Sequence, residues 1–344
     1  MNPAKAYAHL FSPLGGDEAD NYRAPGQITF LRSEHVALEA EKLREVSARY
    51  AFVGVPFDEG NIGKPGSEEG PREFRLASQE YFPYWFEYQV DLNGSSVDCG
   101  DVQMPKVNPE LSRQRIYKAV REILAAGLTP IICGGDRSLS IPATQALSDH
   151  IGADKKMGYL HFGAHLDLAD TWAGESNLST CALSRITELP NLASDNVSHV
   201  GARNSLNPKD WIDLARERGI RFFPMFELLE RGVDDVAAEA IGRAWVGTDA
   251  QYVSFNFNVM DASMAPGVTA AEPGGIESRE MMRIAGLLGA RGGVSVIEIS
   301  ELCPIFDVSG TTSRLAVCVV LRILAALAQS RGEQVDQAIK RPSD

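Results

Sequence analysis

Five short stretches of this chain carry side chains that could hold protons, cations or water. Ser254-Phe255-Asn256-Phe257-Asn258-Val259-Met260-Asp261 alternates apolar and polar residues. A loop rich in breakers follows, with Ala265-Pro266-Gly267 and then Glu272-Pro273-Gly274-Gly275. The alternation predicts a strand that carries Asn256 and Asn258 to its C-terminal tip. His161-Phe162-Gly163-Ala164-His165-Leu166-Asp167 ends a second apolar run on an imidazole and a carboxylate. Gly134-Gly135-Asp136-Arg137-Ser138, Asp98-Cys99-Gly100-Asp101 and Glu298 to Glu301 close three more. His and Asp are cation ligands and proton carriers, Asn offers a carbonyl oxygen without charge, and Arg cannot give up its proton to coordinate a metal. Taken one by one, His165 and Asp167 read as satisfied polar groups before they read as metal ligands, and His161 reads as core. Cys181 and Cys303 have no recognisable base beside them, so a thiol nucleophile is not expected.

For such tips to meet, their strands must run parallel and end at one edge. The pattern predicts this. Strands are expected at Tyr50 to Val55, Ser96 to Cys99, Thr129 to Cys133, Met157 to Phe162, Val197 to Gly201, Arg221 to Phe223, Tyr252 to Phe257 and Gly293 to Ile299. Helices are expected between them, from Pro109 to Ala126, after Ser138, after Asn177, from Pro208 to Arg218, up to about Trp245, from Glu277 to Leu288 and from Thr312 to Gln329. Short apolar strands alternating with helices imply one parallel sheet of about eight strands covered on both faces, an α/β/α arrangement. In such sheets ligands bind beyond the carboxyl ends of the strands. Residues 1–48 read as a polar N-terminal arm, 49–335 as a single α/β domain and 336–344 as a frayed C-terminus.

The net charge of −13 argues against nucleic acid or an anionic membrane as partner. Five widely spaced cysteines with no CxxC pair fit neither a disulfide framework nor a zinc site, and point to a reducing cytoplasm. The most apolar stretch, Leu315 to Ala328, is interrupted by Arg322 and reads as a core helix, not a membrane span.

The stretches also occur in the order of a known pattern. Gly26 to Arg32, Gly54-Val55-Pro56-Phe57-Asp58, Gly70-Pro71-Arg72, Asp98-Cys99-Gly100-Asp101, Gly134-Gly135-Asp136-Arg137-Ser138, His161 to Asp167, Gly201-Ala202-Arg203, Ser254 to Asp261, and Ile297-Glu298-Ile299 with Pro304 and Asp307 resemble the motifs of the ureohydrolases, the arginase and agmatinase family. The resemblance implies the arginase-like three-layer fold and a pair of Mn or Ni ions held by six side chains. It also implies that four of the six are changed here: Arg137 for the His of GGDHS, Gly163 for the first Asp of DAHxD, and Asn256 and Asn258 for the two Asp of SFDID. Only His165 and Asp167 remain. Glu298 matches the carboxylate that faces the substrate's guanidinium. The expectation is a chain with no catalytic residues and no metal of its own, similar to the degenerate subunit of two-component metformin hydrolases. It would assemble with an intact Ni- or Mn-bearing paralogue as a hexamer. Two other readings stand beside it, a module that binds guanidino compounds through Glu298 and an enzyme with altered, metal-poor chemistry.

Overall fold

The computed structural model describes residues 28–105 and 107–333. Nine strands form one sheet: β1 (Glu34–His35), β2 (Tyr50–Val55), β3 (Ser96–Asp101), β4 (Thr129–Gly134), β5 (Met157–Phe162), β6 (Val197–Val200), β7 (Arg221–Phe223), β8 (Ala250–Asn256) and β9 (Val294–Ser300). Their order is β1-β3-β2-β4-β9-β8-β5-β6-β7, and every neighbouring pair is parallel. The helices are α1 (Ala40–Leu43), α2 (Gly70–Ser78), α3 (Pro109–Ala125), α4 (Ser140–Ile151), α5 (Ala182–Ile186), α6 (Lys209–Glu217), α7 (Met225–Arg231), α8 (Val233–Trp245), α9 (Ser278–Arg291) and α10 (Thr311–Ser330).

Period two divides each strand between two cores. Phe52, Ile131, Leu160, Val253 and Ile297 face the layer of α2, α8, α9 and α10. Val53, Ile132, Tyr159, Tyr252 and Val296 face the layer of α3, α4 and α5. The three layers follow from this division, because a parallel strand buried on both sides must be apolar at every position. The stretch Val308–Ser330 is apolar and long enough to cross a membrane by composition, but 72% of its most apolar window is buried inside the fold.

The ninth strand comes from the segment expected as an arm. β1 pairs with β3 at the sheet edge, and Phe30 stacks on Phe52 with ring centroids 5.1 Å apart and on Phe74 at 5.7 Å. The alternation of residues 28–48 is too brief to register as a strand, and the aromatic contacts that hold it come from far along the chain. Residues 1–27 and the C-terminal segment 336–344 lie outside the described residues.

A candidate site at the carboxyl edge of the sheet

The strand order brings together tips that are distant in sequence. β4, β9, β8 and β5 are neighbours, and register aligns Ile132 with Glu298, Glu298 with Ser254, and Ser254 with His161. Period two then puts Glu298, Ser254, His161, Tyr252 and Tyr159 on one face. Arg137, in the 3-10 turn Arg137–Leu139 between β4 and α4, is fully buried there at 0% exposure.

The Arg137 guanidinium donates from Nη2 to the Tyr159 hydroxyl at 2.9 Å. Its Nε lies 3.4 Å from Asp167 Oδ2, and its Nη1 lies 4.0 Å from Glu298 Oε1. Nε, Nη1 and the Asp167 oxygen have no hydrogen-bond partner. Burial opposes the charge on Arg137, but Tyr159, Glu298 and Asp167 together hold the guanidinium protonated above its usual range. The same burial pushes the Asp167 carboxyl up to about 8 despite the pull of Arg137.

Glu298 is enclosed. Its Oε1 accepts from Ser140 Oγ at 2.6 Å and Ser254 Oγ at 2.7 Å, and Oε2 accepts from the Tyr252 hydroxyl. It is 0% exposed and does not reach the neighbouring pocket, so the expected ligand-facing role of Glu298 has no surface to act on. The guanidinium beside it belongs to the chain's own Arg137.

The two asparagines face inward. The Ala164 amide donates to Asn258 Oδ1 at 2.9 Å, which fixes the orientation of the side-chain amide. Asn258 Nδ2 then faces His165 Nδ1 at 3.3 Å. An amide nitrogen only donates, so Nδ1 of His165 accepts and the ring proton sits on Nε2. Burial lowers the pKa of His165, against the raising effect of Glu272, whose Oε1 is 4.0 Å from Nε2. Asn256 Oδ1 accepts from the Asn258 amide at 3.1 Å. Around Gly163 the space a side chain would need is taken, since a Cβ there would lie 2.5 Å from His161 Nε2. His161 binds Ser254 Oγ through Nδ1 at 3.1 Å, and burial holds its pKa well below the usual value. His199, pushed down to about 3 by burial, donates from Nε2 to the Gly163 carbonyl at 3.1 Å. Among the described residues no group of three or more His, Cys, Asp or Glu is gathered to hold a metal ion.

Two expected members of the cluster lie elsewhere. Asp98 and Asp101 are bound to Arg75, with Arg75 Nε 2.8 Å and Nη2 3.0 Å from Asp98, and Nη1 2.6 Å from Asp101. β3 lies beyond β2, too far along the sheet to join the tips of β4, β9, β8 and β5. Asp261 does not meet Arg137 either. It accepts from Ser263, Gly274 and Gly275 and closes the loop after β8, and those bonds pull its pKa down to about 2. Arg203 braces the same loop by donating to the carbonyls of Asn258 at 2.9 Å, Met260 at 3.0 Å and Glu272 at 2.7 Å.

A pocket of about 290 Å³ lies above this cluster, lined by strand-end residues read from the sequence and by Thr269, Trp172, Leu206 and Trp211, which that reading did not single out. Asp167, Glu301, Asn256 and Thr269 contribute its polar lining, and Trp172, Leu206 and Trp211 its apolar lining. Glu301 adopts φ of +66°, accepts from Thr269 Oγ1 at 2.5 Å, and has a pKa raised by burial. A sequence signal for it existed. Glu301, Pro304 and Asp307 keep the spacing of the VEVxPxxD pattern, which puts its carboxylate at Glu301 and not at Glu298.

The fold has known counterparts. Proclavaminate amidino hydrolase from Streptomyces clavuligerus superposes with a TM-score of 0.80 at 23% identity, covering 90% of this chain and 99% of that one. The sequence pattern of the arginase family matches residues 48–326. The chain belongs to the arginase family. It is 32% identical over 324 residues to guanidinopropionase of Pseudomonas aeruginosa, covering 91% of this chain and 96% of that protein. It is 30% identical over 278 residues to agmatinase of Bacillus subtilis, covering 79% and 90%. It is thus an agmatinase-type member of the ureohydrolases, with the three-layer parallel-sheet fold expected from its sequence.

Proposed function

We propose that this chain is the catalytically silent subunit of a two-component ureohydrolase. In this reading an intact paralogue carries the Mn or Ni ions, and the two assemble as a hetero-oligomer, a hexamer by analogy with the family. The observation that supports it best is the buried guanidinium of Arg137, 3.4 Å from Asp167 and 4.0 Å from Glu298. A pair of divalent ions needs several carboxylates to offset their charge. Here a fixed cation stands between two of the carboxylates, Asn256 and Asn258 supply no charge, and Asn258 occupies Nδ1 of His165. The residues present do not fit a binuclear metal centre. Without a metal, water keeps its high pKa and is a poor nucleophile toward a resonance-stabilised guanidine.

Relatives named for guanidino acids and agmatine support a C–N hydrolase of guanidino compounds as the activity of the assembly. The finest reading is metformin hydrolysis, dimethylbiguanide to guanylurea and dimethylamine. It rests on the resemblance of the motifs alone. Co-expression with a paralogue carrying intact GGDHS, DAHxD and SFDID is the test. The expected result is a stable complex with metal in the paralogue only, and higher specific activity than the paralogue alone. Stoichiometric Mn or Ni in this chain by itself, or guanidine hydrolysis by it alone, would refute the reading.

A further inference from the structure

The opposite edge of the sheet holds a second cavity, away from the Arg137 cluster. It measures about 480 Å³ and lies under the amino ends of β2, β4 and β9, which are neighbours in the sheet. Its lining includes Arg49, Tyr50, Thr129, Val294, Leu327 and Arg331. Arg49 and Arg331 are its charged members, and no carboxylate is among the described lining residues. In a chain of net charge −13 such a place is an exception.

Arg49 precedes β2 and Arg331 follows α10, so only the tertiary structure makes them a pair. They meet on one carboxylate, that of Glu333. Arg331 Nε lies 2.7 Å from Glu333 Oε1 and its Nη2 lies 3.2 Å from Oε2, while Arg49 Nη2 reaches Oε1 at 2.9 Å. The two guanidinium groups form a fork already fitted to a carboxylate. Positive charge is left over, because two cations face one anion.

Tyr50 adds a donor. The residue is 3% exposed, and its hydroxyl accepts from Arg331 Nη1 and Nη2 at 3.3 Å. Burial raises its pKa, so the hydroxyl keeps its proton, and among the described residues that proton meets no acceptor. A buried O–H without an acceptor costs free energy, and a carboxylate oxygen beside Arg331 would take it.

Glu333 is a replaceable occupant. The backbone sets its place: Gly332, at φ of +76°, follows the end of α10, and the Glu333 amide donates to the Ala328 carbonyl at 3.0 Å. The Glu333 side chain is 35% exposed and that of Arg49 is 57% exposed. Ion pairs so open to water stabilise little, so the carboxylate can swing out while the backbone stays.

We propose that this cavity binds a small organic dicarboxylate. One of its carboxylates replaces that of Glu333 on Arg49, Arg331 and Tyr50, and its short apolar body lies against Val294 and Leu327. With Glu333 displaced the fork carries two positive charges, which a dicarboxylate balances. A volume of about 480 Å³ suits an organic molecule better than a bare inorganic anion. Glu333 then acts as a built-in competitor for the site. The site is independent of the carboxyl-edge cluster and of the assembly reading.

The test is equilibrium dialysis of the purified full chain with labelled glutarate at fixed ionic strength. Unlabelled glutarate, glutaramide and inorganic phosphate serve as competitors. Glutarate should bind saturably and be displaced by unlabelled glutarate, but not by the other two at equal concentration. Glu333→Ala should tighten binding about fivefold, because the competing carboxylate is gone. A loss of structure cannot produce that gain. Arg331→Gln should weaken binding at least about tenfold. If that variant lacks a thermal unfolding transition, Arg49→Gln, at the more exposed arginine, carries this arm. No saturable binding, displacement by glutaramide, displacement by phosphate as strong as by glutarate, affinity no higher in Glu333→Ala, or unchanged affinity in the arginine variant that folds would overturn the proposal.

Discussion

Two buried arginines in this molecule each face two carboxylates, and the two arrangements differ sharply. Arg75 meets Asp98 through two nitrogens at 2.8 and 3.0 Å and Asp101 through a third at 2.6 Å. Its guanidinium also lies over the Phe52 ring, 4.7 Å from the centroid. Every face of the fork is used, which is the geometry in which a guanidinium and carboxylates match. Arg137 makes one hydrogen bond, to Tyr159, and stands 3.4 and 4.0 Å from its carboxylates with two nitrogens unsatisfied. Charge alone therefore does not make a buried ion pair stabilising. The Arg75 clamp fastens β3 to α2. Arg137 balances part of the charge at strand tips that remain incompletely paired, and that region keeps a pocket.

The contrast can be broken most directly by removing each arginine. Arg75→Met should cost about 3–5 kcal/mol in urea unfolding, because it leaves Asp98 buried without its partner. Arg137→Met should cost less than about half of that, since Glu298 keeps three hydroxyl donors. Equal losses would mean that the long distances at Arg137 carry as much stabilisation as the short ones at Arg75.

The packing side of the comparison is sharpened at Gly163. Gly163→Asp places a Cβ 2.5 Å from His161 Nε2, in a buried site, and should destabilise by about 1–3 kcal/mol. Adding His161→Ala should recover much of that loss. A double-mutant cycle with no coupling would show that His161 does not fill the space in question.

A smaller effect is expected from pH. The folded pKa of Asp167 is about 8, above its ordinary value of 3.8, so the folded state takes up a proton that the unfolded state releases. This contribution is fully present below about 4 and is lost as pH rises through about 8. Asp167→Asn should flatten the fall in stability over that window. The same slope in the variant and the parent would place the titration elsewhere.

The smallest effect concerns one hydrogen bond. Asn258→Asp replaces a donor with an acceptor opposite His165 Nδ1, so the ring must turn its proton or gain a second one. The His165 pKa should rise by about one unit by NMR titration, with little change in unfolding. An unchanged titration would mean that Asn258 does not set the tautomer.

The sequence by itself determined the elements and their layering. Alternation and apolar runs placed β2, β5 and β7 at their observed limits, and the other sheet strands beyond β1 within a few residues, because a strand buried on both sides leaves a dense local signal. It also placed Arg137, His165, Asp167, Asn256 and Asn258 at strand ends, since such positions follow directly from where an apolar run stops. Partnership was a different matter. That Asp98 and Asp101 serve Arg75, that Asp261 closes its own loop, that Glu298 is enclosed by Ser140, Ser254 and Tyr252, and that Glu301 lines the pocket all depend on the order β4-β9-β8-β5 and on side-chain direction. Strand order is set by how the helices pack over the two faces, a sum over contacts far apart in the chain. A hydrogen bond depends on a few tenths of an ångström, and no local pattern of residue types carries that information.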